Sequence, residues 1–482
     1  TVDSRRPSCR RFPDDRARRL RMRRLALLSL SRATSASSST TTPFPSLVAR
    51  RFSSARVVSR DEGDDDDRVP APSSARPPRA NAPSSASSSP STTRASENAF
   101  AFATAESTKT TLRDALRECV EGARRGLGPG RRVTWAQLYV SGTTYDEEAI
   151  AEAGKVTREM FGSSPKLVGA MVRASTGGGG ATREGVTLTA ASMPGTRATT
   201  FRATSSSLPS LDDGCWREIA MSGGEGSTVG VTVLADAAFE DVDKLLERLH
   251  VAAPNSVAVG GVVDGGAVMF LNDDVVRHGA VGTLVSGDFD IDTHVAHGAR
   301  PVGPVMSLTH ARDNAVLELD DAPAHPRLLE TLESLPETSK ALPVMLGLGV
   351  NGPKGPFVCR DILSVGETGG VEVASAALRE GAAVQLHVRD NSWALEQARG
   401  VIEKCVDSAT KMRDLRAENS VGATIFACAD ANRTHANDFR ESLPSTPLGG
   451  AYVRSEIAPL VEGGASSVLS HTSAIAIYRE RD

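Results

Sequence analysis

Between residues 111 and 172 the chain alternates two hydrophobic periodicities, and this limits the fold more than any other feature. TLRDALRECVEGARRGLG places Leu112, Leu116, Cys119, Val120 and Ala123 on one helical face, with Gly126 as a C-terminal stop. RVTWAQLYVS is then a continuous apolar run, as expected of a strand covered on both faces. YDEEAIAEAGKVTREMFG returns to helical spacing through Ile150, Ala153, Val156 and Met160, ends at Gly162, and is followed by a second strand, KLVGAMV. Strand, helix and strand in this order describe a crossover onto a sheet.

Downstream come the strand VGVTVLAD, a helix around VDKLLERLH and the strand SVAVGGVV. From residue 257 to 287 the text changes to strands split by turns, with Asp264-Gly265 and Asn272-Asp273 as hairpin signals. A second domain is expected from about Asp320. It opens with a helix in HPRLLETLESL, followed by strands LPVMLGLGV, PFVCRDILSV, GGVEVAS and AAVQLHVRD. A long helix over residues 392–412 puts Ala394, Ala398, Val401, Ile402, Cys405 and Ala409 on one face. The end reads as strand GATIFACAD, helix NDFRESLP, strand GGAYVRSEI and strand SVLSHTSAIAIYRE. The expected class runs from α/β to α+β: two mixed α-β domains, residues 99–320 and 321–482, each a sheet flanked by helices.

The first 98 residues have a different composition. Residues 1–60 hold 15 Arg, no Lys and 3 acidic residues, a balance of +12. Against a whole-chain charge of -4, the remainder carries -16, which argues against nucleic acid as a partner because phosphate neutralisation needs a basic face. The Arg- and Ser-rich, acid-poor segment reads as an organellar transit peptide. ARRFSSA at residues 49–55 suits a mitochondrial processing site, and SRATSASSSTTTPFP suits a chloroplast. A basic tail or nuclear signal is the competing reading. Residues 61–98 form a low-complexity, disordered linker. No apolar run is long enough for a membrane-spanning helix.

Six scattered cysteines form no C-x-x-C pair, so neither a disulfide framework nor a thiolate zinc site is signalled, and no cofactor motif is present. STGGGGATREG offers backbone N–H groups for an anion but lacks the P-loop ending, so a surface loop competes with it; Arg183 and Glu184 at its end are candidate ligand contacts. His294 and His297, three apart in an extended segment, point to opposite faces and make a poor metal pair. Arg360 and Asp361 sit side by side in a strand, so one faces inward, needing a partner or a ligand, and a sheet-edge salt bridge is the competing reading. Cys428, His471 and Glu456 supply the residue types of nucleophile, base and orienting carboxylate, set against a buried structural cysteine.

From about Ala99 onward these segments together resemble the FIST-domain proteins, with both the N-terminal and the C-terminal FIST regions. The likeness rests on GGVVDGGAVMFLNDDVVRHGAVGTLVSGDFDIDTHVAHGARPVGP, VMSLTHARDNAVLELDDAPA, PFVCRDILSVGETGGVEV, LREGAAVQLHVRD and the tail from ATIFACADANRTH to LSHTSAIAIY. The resemblance implies a sensory module that binds a small ligand, such as an amino acid, and acts in signal transduction through a protein partner. In F-box relatives it implies substrate recognition for a ubiquitin ligase, but residues 1–98 show no F-box-like helical leader. A cysteine-dependent hydrolase or transferase is the third class.

Two family motifs are altered. Phe426 and Cys428 match a Phe-Ser-Cys signature, but Ala429-Asp430-Ala431-Asn432 replaces a Gly-Arg-Gly-like turn, with Arg433 one step later. The stretch Gly450-Ala451-Tyr452-Val453-Arg454-Ser455-Glu456-Ile457-Ala458-Pro459 keeps the glutamate of a Gly-Phe-Phe-x-x-Gly-Glu-Ile-Gly-Pro motif and loses two glycines, at Ser455 and Ala458. Arg183, Glu184, Arg360, Asp361, Cys428, Glu456 and His471 are the candidate ligand-binding residues.

Overall fold

The computed structural model describes residues 99–481 except 143–144, 163–164, 178–179, 209–226, 367–368, 375–377, 411–420 and 429–433. The transit peptide and linker expected over residues 1–98, and the altered turn at 429–433, lie outside the described residues.

The crossover expected from the sequence is present. β1 (Ala101–Ser107) leads to α1 (Leu112–Leu127), β2 (Trp135–Ser141), α2 (Glu147–Phe161) and β3 (Lys166–Val172), and β2 and β3 pair in parallel. Thr111 caps α1 by accepting from Asp114 N, and Asp146 caps α2 by accepting from Ala149 N. The expected stop at Gly126 is a contact instead: a Cβ there would lie 2.8 Å from Ala103 Cβ, and α1 runs on to Gly128 at φ 91°. Every residue of β2 is buried, because Ala136, Leu138 and Val140 pack under the helices while Trp135 and Tyr139 face the opposite side.

After β3 the chain leaves this sheet as a hairpin, β4 (Ala174–Gly177) and β5 (Gly180–Thr182), and returns as β6 (Gly185–Ser192) beside β2. The same path then recurs. β7 (Arg197–Ala203), β8 (Thr228–Asp236), α3 (Val242–Ala252) and β9 (Ser256–Val263) are followed by the hairpin β10 (Met269–Leu271) and β11 (Asp274–Val276), and by the return strand β12 (Ala280–Gly287).

The third pass starts with β13 (Phe289–His297) and carries an insertion. The insertion comprises β14 (Ala299–Arg312), β15 (Ala315–Leu319), β16 (Ala322–Pro323), α4 (Ala324–Ser334), α5 (Glu337–Lys340), β17 (Val344–Gly349), β18 (Phe357–Val365), β19 (Val371–Val373) and β20 (Ala383–Arg389). Because β14 pairs with both β20 and β15, this sheet closes into a barrel, filled by Val302, Met306, Leu308, Leu346, Val384 and Leu386. The third pass resumes with α6 (Asn391–Thr410), β21 (Gly422–Cys428), α7 (Thr434–Ser442) and β22 (Leu448–Val453). It ends with the hairpin β23 (Ser455–Pro459) and β24 (Ser466–Leu469) and the return strand β25 (Thr472–Glu480).

Three six-stranded sheets result, with orders β1-β6-β2-β3-β10-β11, β7-β12-β8-β9-β23-β24 and β13-β25-β21-β22-β4-β5. Each unit gives its hairpin to the sheet of another: the first to the third, the second to the first, the third to the second. Registers agree as well. Leu138 opposes Leu188 and Gly169, Val233 opposes Gly282 and Gly260, and Ile425 opposes Ile475 and Gly450. The inner faces share one core, with Phe102, Tyr139, Leu234, Val259, Phe426 and Tyr478 among its members, while the helices cover the outer faces. Within it, Gln137 and Thr232, at matching positions of β2 and β8, are joined by a 3.0 Å hydrogen bond, and the Tyr139 hydroxyl donates to Gln137 Oε1 at 3.1 Å. A small cavity of about 10 Å³, room for a single water, lies beside Trp135, Thr232, Thr283 and Tyr478.

The mixed α/β class is as expected, but one sheet per half is not what forms. Among the described residues four sheets form, and three take strands from both halves, since β22 pairs with β4, β23 with β9, and β14 with β20. The single strand expected over GGAYVRSEI breaks at Arg454 into β22 and β23, in different sheets; SVLSHTSAIAIYRE breaks likewise before β25. Asn272-Asp273 does make the β10–β11 turn, with Asn272 at φ 55°. Asp264-Gly265 instead carries the chain from one sheet to the next.

Candidate functional site

Where the third unit switches sheets, at the carboxyl end of β21, several of the candidate residues meet. Cys428 is the last residue of β21 and is buried. His471 lies between β24 and β25 with φ 56°, a left-handed conformation that few non-glycine residues hold without support. That support is visible on both sides. Gly298 N donates to His471 O at 2.9 Å, and the next amide, Thr472 N, donates to Glu456 Oε2 at 3.2 Å. The Thr472 hydroxyl donates to the same oxygen at 2.5 Å.

The side chains form a chain of contacts. Cys428 Sγ lies 3.9 Å from His471 Nδ1, and His471 Nε2 lies 3.3 Å from Asp361 Oδ1. Asp361 comes from β18 of the barrel, so the inserted domain completes this site. Its side chain is 53% exposed while that of His471 is 13% exposed, so the chain runs from solvent inward to the thiol. Partial burial pushes Asp361 upward, but the hydrogen bond and charge of His471, with Arg389 and Arg454 nearby, outweigh it and hold the carboxyl below its ordinary value.

This arrangement corrects the carboxylate role read from the sequence. The carboxylate at His471 is Asp361, not Glu456, because Glu456 points from β23 into the fold and is wholly buried. Burial pushes its carboxyl up to about 8, against the hydrogen bonds from Thr472. Its Oε1 finds no hydrogen-bond partner among the described residues.

Arg360 and Asp361 do face opposite ways, as strand alternation requires. Arg360 is the inward member: its Nη1 donates to Val468 O at 2.6 Å and its Nη2 lies 3.9 Å from Asp243, tying the barrel to the second unit. Arg183 and Glu184 lie elsewhere, exposed at the turn between β5 and β6. STGGGGATREG is mostly the β4–β5 hairpin rather than a loop. His294 bonds to Ser408 at 2.9 Å and His310 to Glu380 at 2.8 Å, in separate places, while His297 is held neutral by burial and by His387, its pKa lowered to about 4.

The other two units present counterparts of the thiol–imidazole pair. Ser141, Asp236 and Cys428 each lie three residues beyond the matched core residues Leu138, Val233 and Ile425. Glu184, His278 and His471 each lie four residues before Leu188, Gly282 and Ile475. In the second unit His278 Nδ1 lies 3.4 Å from Asp236 Oδ2, but Asp236 Oδ1 also accepts from Gly266 N and Ala238 N, a turn-capping role. In the first, Glu184 packs against Gly142, where a Cβ would lie 1.9 Å from its Oε2. Sequence reading missed the partnership of Asp361 with His471 and the part of Thr472; the adjacent charged pair in β18 held no sign of a partner 110 residues away.

Residues 134–322 match the FIST N domain and residues 324–459 the FIST C domain, so Asp361, Cys428 and Glu456 fall inside the matched range and His471 beyond it. The chain is also similar to an uncharacterized protein of Mycobacterium bovis, 29% identical over 255 residues, which covers 48% of this chain and 63% of that protein. An uncharacterized protein of Mycobacterium tuberculosis strain H37Rv is 26% identical over 254 residues, covering 48% of this chain and 64% of its own length. The chain therefore spans less than two thirds of the length of these relatives. With both domain matches in sequence order over most of the folded part, the chain belongs to the FIST-domain proteins.

Proposed function

We propose that this chain is a sensory module that takes a small zwitterionic ligand, an amino acid, at the junction of the barrel and the third unit. FIST domains are in general sensory domains of signal transduction. The observation that supports the ligand class is the mixed charge around Asp361: its carboxylate lies on a half-exposed rim with His471, close enough to Arg389 and Arg454 for both to act on it electrostatically. A carboxylate for the ammonium group and guanidinium groups for the carboxylate are what an amino acid needs. The signal would pass to a protein partner by a shift of barrel against ring, across the Arg360 contacts. The Arg-rich composition of residues 1–60 supports an organellar destination, chloroplast or mitochondrion, for the module.

Isothermal titration of the full chain with individual amino acids tests this reading. At least one should bind saturably, and Arg454→Ala should weaken it about tenfold, or roughly 1.4 kcal/mol. If none gives saturable heat, the reading is wrong.

A further inference from the structure

We propose that Cys428 is a nucleophile that takes an acyl group from small carboxylic esters, with His471 as its base and Asp361 and Glu456 as positioning residues. The inference stands apart from the amino-acid reading, since it needs no guanidinium and no zwitterion.

The geometry supplies each part. Asp361 Oδ1 accepts from His471 Nε2–H at 3.3 Å, which fixes the tautomer that leaves Nδ1 unprotonated and facing the thiol. The 3.9 Å separation of Sγ and Nδ1 is within reach of a thiol hydrogen bond before substrate arrives. Glu456 does not touch the imidazole. Through Thr472 N it anchors the amide that follows His471 and so helps hold the left-handed turn that aims the ring. Among the three matched positions, only the third unit pairs a thiol with an imidazole, and only that unit holds the barrel that delivers the carboxylate. A purely architectural role at this strand end would not call for that combination, as Ser141 and Asp236 serve the other two.

The Cys428 thiol proton moves to His471 Nδ1, and sulfur bonds to the ester carbonyl carbon. The carbon–oxygen bond to the leaving group breaks, and the departing alkoxide takes the proton from Nδ1, leaving a thioester on Cys428. Water then gives a proton to Nδ1, its oxygen bonds to the thioester carbon, the carbon–sulfur bond breaks and the thiolate recovers the proton. No oxidant or metal enters.

Treatment of the full chain with p-nitrophenyl acetate at neutral pH, with peptide mapping by mass spectrometry, tests this. One acetyl group should appear on Cys428, and none on Cys119, Cys359 or Cys405, whose thiols burial pushes up and which have no imidazole contact among the described hydrogen bonds to offset it. His471→Ala should slow acetylation at least about a hundredfold and remove the bend in its pH–rate profile, the magnitude expected for a lost general base. Asp361→Asn should slow it about tenfold and displace that bend, which a merely structural role would not do. Acetylation that spares Cys428 in the wild-type chain would overturn the proposal, whether or not any variant folds. So would a Cys428 rate that His471→Ala leaves unchanged in a chain that still unfolds cooperatively.

Discussion

At the scale of single residues, Glu456 is an ionisable group that the fold holds at a cost. A carboxyl wholly enclosed in the protein favours its neutral form, and here its pKa rises from an ordinary 4.5 to about 8. The folded state therefore binds a proton that the unfolded chain releases between those two values. Stability then falls as pH rises from about 4.5 to about 8, with a slope approaching 1.4 kcal/mol per pH unit, and levels off above. Glu456→Gln keeps an acceptor for Thr472 and removes the titration. We expect the variant to match the wild type near pH 4.5 and to be progressively more stable than it toward pH 8. Urea unfolding at a series of pH values measures this difference; equal slopes for the two proteins would mean that Glu456 is ionised in the fold.

At the scale of elements, the parallel strand pairs depend on one glycine each. A Cβ on Gly169, Gly260 or Gly450 would lie 1.9, 1.8 and 1.8 Å from the carbonyl oxygens of Leu138, Val233 and Ile425, and Gly260 and Gly450 also hold φ of 155° and 159°. Backbone, not a flexible side chain, occupies the space, so nothing nearby can give way. Gly450→Ala should cost more than about 3 kcal/mol, a size reserved for strain and core defects. Gly400→Ala, on α6 with open space around it, should be neutral or slightly stabilising. Chemical denaturation of the two variants beside the wild type makes the comparison, and equal stability of the two would refute the close approach. These glycines also mark the limit of what the sequence discloses. VGAMV, VGGVV and GGAYV are visible in the text, and each reads locally as a strand, yet a two-residue periodicity says nothing about which sheet a strand joins. Arg454 and His471 sit where a strand pattern runs on unbroken while the backbone changes sheets. Cys428, Glu456 and His471 were legible as chemistry-bearing residues of one terminal segment. Asp361 was legible only as half of a charged pair, because the barrel that brings it to His471 depends on the pairing of β14 with β20, a long-range pairing with no local signature.

At the scale of the whole molecule, the exchange of hairpins and the insertion of the barrel predict opposite responses to excision. Each hairpin fills the edge of a sheet built mainly by another unit, so a unit cannot keep a complete sheet alone, and the hydrophobic core is common to all three. The barrel is different. It has its own core, and its ends are adjacent: Ala299 pairs with Arg389, and Asp390 N donates to Gly298 O at 3.2 Å. A chain with residues 299–389 replaced by a short glycine-serine turn should therefore fold, because β13 and α6 keep their places and the loop it closes is shorter. The loss is confined to the contacts across the junction, among them the Arg360 bond to Val468 O, its approach to Asp243, and the packing of Val358 against Ala458 and Leu469. We expect a cooperative thermal transition at a lower temperature than the wild type, with near-UV circular dichroism retained, and Cys428 acetylation reduced to the rate of Asp361→Asn. Removal of the β23–β24 hairpin instead should abolish cooperative unfolding, since it exposes the edge of β9 and frees Thr472 from Glu456 at one stroke. If the barrel deletion is the one that loses cooperativity, the barrel is part of the folding core, and the three-unit ring is not an independent structure.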